Sequence, residues 1–379
     1  MMENKRAFKW VMGSHYFLYF GMMGIFLPYF NLYCFHLGFD GFQIGSISAV
    51  RSFAMILFPI LWSMAADRFE ARRPIFIFCN ILAVISWSAF LFTGEYRYFL
   101  LITAVYGIFY APVISFMEAF TMDGLGDEKS SYGRIRAWGT VSFIFISGLM
   151  GKIIDLSSVS IIIGIILGGS LIQALLSVAV PEIRGRKKQY GNAAFLKKPQ
   201  TIIFLFCAFL MLASHGAYYG FFSIHLETLG FGKSFIGIAW ALASVAEIVV
   251  MLSSARIFRR FAIEDLLFFS FLIAALRWLI LSFSTSPVII LASQMLHALT
   301  YATFHIASIL HMDRISPQES KTLGQSVNNA MTYGLGLMIG FFFNGYLYEK
   351  TGSFHLFAIS SIIALAGALI LKISHIYSK

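Results

Sequence analysis

Glu118, Glu247, Arg51 and Arg277 lie in the middle of long apolar stretches of a chain that is 59% hydrophobic and only 12% charged. A charge at the centre of a bilayer costs about 3 kcal/mol on insertion scales, so four cost on the order of 10 kcal/mol unless they pair or line a wet cavity. Around the second carboxylate, Trp240, Ser244, Glu247, Met251 and Ser254 fall on one helical stripe, and the remaining faces are Ala, Val and Ile. A carboxyl there is neutral when dry and ionised when hydrated or beside a cation, the two-state behaviour that proton coupling requires. The alternative is a structural ion pair, for which Arg277 is the natural partner. Arg277 shares a narrow face with Ser270 and Ser284 at seven-residue spacing. Its permanent charge can hold Glu247 ionised in one state and release it in another, or clamp a ligand carboxylate bidentately. Gln294, His297, Tyr301, His305 and Ser308 follow at steps of three, four, four and three. They make either a packed histidine stripe or a proton relay and ligand contact.

These residues need membrane-spanning elements to position them. A mean hydropathy of +0.78 with 41 Phe, 17 Tyr and 6 Trp in 379 residues excludes a soluble globule. Apolar runs broken by charge clusters predict twelve helices, at about 8–34, 41–66, 73–93, 97–122, 133–154, 158–180, 199–227, 234–257, 265–284, 287–312, 320–348 and 353–375. The basic start (Lys5, Arg6, Lys9) leads into a spanning run without a small-residue cleavage site, so the first helix is expected to stay as a signal anchor. Of 28 Lys and Arg, four (Arg97, Lys152, Lys233, Lys350) fall on one side of the membrane and two (Arg51, Arg277) within spans. The rest fall on the other side, which predicts both termini in the cytoplasm. The net charge of +10 therefore reflects topology, and basic residues scattered over separate short loops give a nucleic-acid role little support, so no nucleic-acid partner is expected. Cys34, Cys79 and Cys207 lack CxxC or metal-ligand spacing, so neither a disulfide framework nor a metal site is expected.

The longest polar segment, 181–198, carries Arg184, Arg186, Lys187, Lys188, Lys197 and Lys198 and divides the spans six and six. The expected domains are 1–180 and 199–379, joined by this basic cytoplasmic linker. The halves echo one another, with Ser63-Met-Ala-Ala-Asp67-Arg68 after the second helix and Ser254-Ala-Arg256-Ile-Phe258-Arg259-Arg260 after the eighth. A six-plus-six parallel repeat is the plan of a rocker-type secondary transporter, with its ligand site at mid-depth.

The stretch Asp67-Arg68-Phe69-Glu70-Ala71-Arg72-Arg73 resembles the helix 2–3 signature of the major facilitator superfamily, with Ser63 and Glu70 standing where glycines are usual. Ser131-Tyr132-Gly133-Arg134-Ile135-Arg136-Ala137-Trp138-Gly139, His215-Gly-Ala-Tyr218-Tyr219-Gly-Phe, Ala246-Glu247, Arg277-Trp278, His297 and His305 resemble the phenylpropionate permease family, a relative of oligosaccharide:proton and nucleoside:proton symporters. The resemblance implies an all-α facilitator fold and proton-coupled import. The fifth helix has Gly139 and Gly148 but not the Gly-Pro of facilitator drug/proton antiporters, which also favours import.

Within that plan the expected proton-coupling set is Glu247, Arg277, His305, His297 and Glu118. The expected ligand contacts are Arg51, Tyr19, His215, Tyr218, Tyr219, Trp240, Asn328 and Asn329. Tyrosines offer a flat face with a polar tip and the tandem asparagines offer donors and acceptors. Such a mixture fits an aromatic acid whose carboxylate an arginine takes, so the expected solute is an aromatic carboxylate such as 3-phenylpropionate; it also fits a sugar or nucleoside, the alternative. Glu118 and Arg51 pair with each other or meet the ligand. Asp67, Arg68, Arg72 and Arg73 are expected to lock the cytoplasmic side by pairing with a neighbouring helix end, and Arg134 and Arg136 to lie near that surface. No nucleotide-binding loop occurs, so the expected cofactors are none and the energy source is the proton gradient. The expected partners are a small solute, a proton and the bilayer, with each monomer holding a complete pathway. A membrane-embedded enzyme built on His297 and His305 would need an HxxxD or HExxH-type constellation, which the sequence lacks, and a sensor would bring a soluble signalling domain.

Overall fold

The computed structural model describes residues 2–182 and 193–377; most of the predicted linker, including Arg184, Arg186, Lys187 and Lys188, lies outside the described residues. Helices account for the described chain, and no strand occurs among these residues. They are α1 (Met2–His36), α2 (Gly41–Arg68), α3 (Arg72–Ser88), α4 (Tyr96–Leu125), α5 (Tyr132–Leu156), α6 (Ile161–Ser177), α7 (Pro199–Thr228), α8 (Lys233–Arg260), α9 (Ile263–Phe283) and α10 (Pro287–Ile315). Pro199 and Pro287 start α7 and α10, where a missing N–H costs nothing. The last helical run, Gln318–Ser374, is 57 residues long, about 85 Å of helix and far more than one bilayer crossing needs. It breaks at Gly352, whose φ of 74° and ψ of 172° suit only glycine, into α11 (318–351) and α12 (353–374). Among the described residues, ten runs are long and apolar enough to cross a membrane, and α6 is a shorter apolar helix. Counting α6 and the break at Gly352 leaves room for the twelve predicted segments.

Two compact units form: one comprises Met1–Phe39, Phe53–Lys187 and Gly232–Ile238, the other Asp40–Ser52, Lys188–Phe231 and Ala239–Lys379. The division departs from the predicted 1–180 and 199–379 in two short segments, and each departure has a cause. In the second unit, a Cβ on Gly45 would sit 2.5 Å from the Phe341 carbonyl oxygen and 2.8 Å from the Gly345 Cα. Only glycine lets the start of α2 lie so close to α11, and the Glu349 carboxylate accepts the Gly41 N–H at 2.6 Å. In the first unit, Asp155 at the end of α5 accepts the Lys233 and Ser234 N–H groups, both at 2.8 Å, and so caps the start of α8.

The first unit is built on α1, whose Met12, Tyr16 and Tyr19 are buried with Phe76 of α3 and Phe116, Met117 and Phe120 of α4. In the second unit α7 packs on α11 across Gly216 and Gly340, where a Cβ on Gly216 would meet the Gly340 backbone at 2.6 Å. That close approach fixes the helix that carries His215, Tyr218 and Tyr219.

Between α2 and α3, Glu70 has φ of 48°, so a residue with a Cβ stands in left-handed backbone where the facilitator signature has glycine. Left-handed backbone costs such a residue about 1–2 kcal/mol, part of which glycine's greater freedom in the unfolded chain offsets. Glu70→Gly is therefore expected to raise stability by about 0.5–1 kcal/mol, seen as a higher unfolding midpoint in detergent; a lower midpoint would show that the Glu70 side chain contributes more than its backbone costs.

Candidate functional site

In the second unit, α8, α9 and α10 bring three of the intramembrane polar residues into one chain of contacts. His297 Nε2 lies 3.0 Å from Glu247 Oε1. Its other ring nitrogen, Nδ1, lies 2.8 Å from Arg277 Nη1. Arg277 also donates through Nη2 to Gln294 Oε1 at 2.8 Å and through Nε to the Ser293 carbonyl at 3.1 Å. Its guanidinium sits 4.3 Å from the Tyr218 ring centroid and 4.7 Å from that of Trp278. The sequence left open a direct Glu247–Arg277 pair; the structure has none within ion-pair distance, and His297 stands between them.

This geometry assigns the histidine tautomer. A guanidinium has donors only, so Nδ1 of His297 must accept, and the ring proton is on Nε2, where it donates to Glu247. A doubly protonated His297 would set two N–H groups against each other across 2.8 Å. While Arg277 is docked, His297 is thus a fixed neutral connector, and Glu247 is the group in the chain free to change its protonation.

Exposure separates two layers. Arg277, His215, Tyr218 and Gln294 are fully buried. Tyr219, Tyr301, His305 and Tyr333 are partly open, and Glu247 keeps 19% of its side-chain surface accessible. Buried Arg277 has three of its nitrogens committed to protein acceptors, behind the open layer. His215 is held by a hydrogen bond from Nδ1 to the Met211 carbonyl at 2.8 Å and meets Trp278 edge-on at 4.9 Å. Trp240 packs 4.8 Å from Tyr218 and donates its indole N–H to Ser223 at 3.0 Å.

Two π-helical turns shape the open layer, at Ala298–Ala302 in α10 and Ala330–Gly336 in α11. Such turns insert an extra residue and re-aim the side chains beside them. The rings of His297 and Tyr301 stack at 5.1 Å, and Tyr301 lies nearly parallel to His305 at 6.4 Å. His305 Nδ1 is 2.6 Å from the Tyr333 hydroxyl. Tyr333 was not among the expected contacts, although its place four residues after Asn329, on the same helical face, was the available signal. Buried Asn328 spends its amide on Ser308 at 2.9 Å and its oxygen on Thr332 at 3.3 Å, tying α10 to α11, whereas Asn329 is exposed. Arg51, half-buried, belongs to this unit through the first part of α2.

The first unit holds a second cluster. Tyr19 stacks on Tyr110 at 5.2 Å, and Tyr110 on Tyr106 at 4.8 Å, a ladder of flat rings. Arg136 lies 3.7 Å over Phe20 and 5.6 Å from the Tyr16 ring centroid, and its charge acts on Glu118 of α4. Arg136, expected only near the surface, is the electrostatic neighbour of Glu118. Farther along, Arg72 bridges Asp67 at 3.0 Å and Asp123 at the end of α4 at 3.0 Å. Arg73 donates to the Val180 and Val178 carbonyls that follow α6, at 2.6 and 2.7 Å. Arg68 lies beside the Phe69 ring. In the second unit the corresponding region pairs Glu264 of α9 with Arg314 of α10. No group of His, Cys, Asp and Glu able to hold a metal occurs among the described residues.

The sequence profile of the MFS_1 like family matches residues 9–359. An Escherichia coli protein named a probable 3-phenylpropionic acid transporter is 27% identical over 92% of this chain and 93% of its own length. A maltose permease of Geobacillus stearothermophilus is 22% identical, with 96% of each chain covered. Among solved structures, the nucleoside transporter NupG superposes with a TM-score of 0.86 at 20% identity, covering 96% of this chain and 98% of its own.

Proposed function

The chain belongs to the MFS_1 like family of multi-pass membrane transporters, and from that premise we propose that it imports a small organic solute together with a proton by alternating access. The best-fitting solute is an aromatic carboxylate such as 3-phenylpropionate. One observation carries the coupling: Glu247 is joined to a buried arginine through His297 yet keeps part of its surface open. Such a carboxyl has a low-energy charged form and a route for its proton.

In the loaded state Glu247 is neutral. When the solute leaves and water enters, Glu247 releases its proton inward, and the resulting anion is held by the His297 N–H backed by Arg277. The proton gradient is the energy source, and no cofactor takes part. His305 and Tyr333 extend the polar path, and Glu118 with Arg136 forms its counterpart in the first unit. Tyr219, Tyr301 and Tyr333 supply ring faces for an aromatic solute, and Arg51 takes its carboxylate. Asp67, Arg68, Arg72 and Arg73 act as a cytoplasmic lock. The chain works as a monomer in a bacterial inner membrane with both termini in the cytoplasm.

A second reading, a sugar or nucleoside, is favoured by the exposed amide of Asn329 and by what the maltose permease and NupG are named for. Lightly buffered cells expressing the protein, offered 3-phenylpropionate, a galactoside and a nucleoside in turn, separate the two. Alkalinisation of the medium with the aromatic acid alone, beyond that of cells carrying Glu247→Gln, is the expected result. A response to the sugar or nucleoside alone would overturn the substrate assignment and leave the coupling site standing.

A further inference from the structure

A groove on the first unit runs along one face of α1, walled by α5 and α6, with a volume of about 740 Å³. Its floor comes from residues of α1 at helical spacing, beginning with Arg6, Lys9 and Trp10 and ending with Phe17 and Leu18. Eleven residues of rise separate Arg6 from Phe17, about 16 Å of helix, so the lining grades from cationic to hydrocarbon over that length. Arg134, near the start of α5, adds a third cation beside the basic end, and Trp138, one turn on, walls the middle. Trp10 and Trp138 are 61% and 48% exposed, unusually open for tryptophans and suited to the polar–apolar boundary of a bilayer.

The charges at the basic end are only partly paired among the described residues. Glu128 pairs with Lys9 at 2.5 Å, and Arg134 spends one donor on the Ser131 hydroxyl at 3.1 Å. No carboxylate among the described residues forms an ion pair with Arg6 or Arg134, so among these residues the groove presents two guanidiniums without an ion-pair partner above an apolar trough.

We propose that this groove is a binding site for one anionic glycerophospholipid. Its phosphate is taken by Arg6 and Arg134, whose planar donor sets match phosphate geometry. Its glycerol backbone lies at the level of the two indoles, and one acyl chain runs down between Phe17, Leu18 and the α6 side chains. A zwitterionic lipid brings its own cation to the two guanidiniums, so the site selects by headgroup charge. The occupant belongs to the bilayer and not to the transported solute, and the inference does not depend on which solute is carried.

The experiment is native mass spectrometry of the full-length protein released from detergent with phosphatidylglycerol or phosphatidylcholine of the same acyl chains. The wild type is expected to retain one phosphatidylglycerol in preference to phosphatidylcholine. The double variant Arg6→Gln/Arg134→Gln is expected to bind phosphatidylglycerol about 30-fold more weakly, while Arg6→Lys/Arg134→Lys keeps most of the preference. Unfolding midpoints without added lipid identify any variant that has lost its fold, in which case Trp138→Ala, which removes the wall and keeps the charges, reports through slower chain exclusion and weaker retention of the same lipid. Equal retention of the two lipids by the wild type, or unchanged phosphatidylglycerol binding in the folded glutamine variant, would overturn the proposal, as would displacement of the lipid by a peptide partner without charge dependence.

Discussion

Glu247→Gln is expected to abolish uphill accumulation while sparing exchange. The amide keeps the shape of the side chain and still accepts the His297 N–H, so the contacts around it persist. It cannot ionise, and the carrier is fixed in the equivalent of its loaded form. For an acid carried as its anion with one proton, each pH unit across the membrane supports about tenfold accumulation. The variant should lose all of that and bring its solute only to equal concentrations inside and out. Counterflow of labelled against unlabelled solute needs no net proton movement, so its rate should fall little. Accumulation and counterflow measured on the same vesicles check this. Loss of both would point to a structural role for Glu247, and retention of both would remove it from the coupling path.

Arg277→Gln is expected to be among the most destabilising single substitutions in the chain. Arg277 is fully buried and donates to a side-chain amide, a backbone carbonyl and a histidine nitrogen. Removing it leaves those acceptors without donors and the Glu247–His297 pair without its counter-charge. Breaking one partner out of a buried charge network costs about 3–5 kcal/mol. The double variant Glu247→Gln/Arg277→Gln removes both charges, so its loss should be smaller than the sum of the two single losses, although the two side chains do not touch. Arg277→Lys should rescue little, because a single ammonium does not span three acceptors in a fork and stacks poorly between Tyr218 and Trp278. Unfolding midpoints of the four proteins in detergent give the coupling; strict additivity would mean that His297 does not connect the two ends.

The parts of this network were legible in the chain to different degrees. Glu247, Arg277 and His297 stand out because a charged or polar residue in an apolar span is costly, and each lies on a polar stripe of its own helix. Periodicity assigns a face to each helix but does not say which faces meet, so the order Glu247–His297–Arg277 and the burial of Arg277 behind the tyrosines needed tertiary structure. Tyr333 and the pairing of His305 depend on two π-helical turns, which shift the facing residues by one position and leave no trace in a 3.6-residue pattern. Arg136 was read by its nearness to a helix end, whereas its side chain lies over Phe20 near Glu118. The apolar helices followed from hydropathy; the grouping of 40–52 and 232–238 did not, because it rests on glycine contacts and a carboxylate cap between distant segments. Glu70 illustrates the reverse case, where a departure from a sequence signature marked the one described non-glycine residue with positive φ.

The decisive measurement is proton flux in purified proteoliposomes that enclose a pH-sensitive dye and receive 3-phenylpropionate from outside. The wild type should acidify the lumen beyond the passive entry of the acid, and Glu247→Gln vesicles, matched for protein content and active in counterflow, should show the passive rate alone. Equal acidification by the two proteins would contradict the assignment of Glu247 as the proton-carrying group.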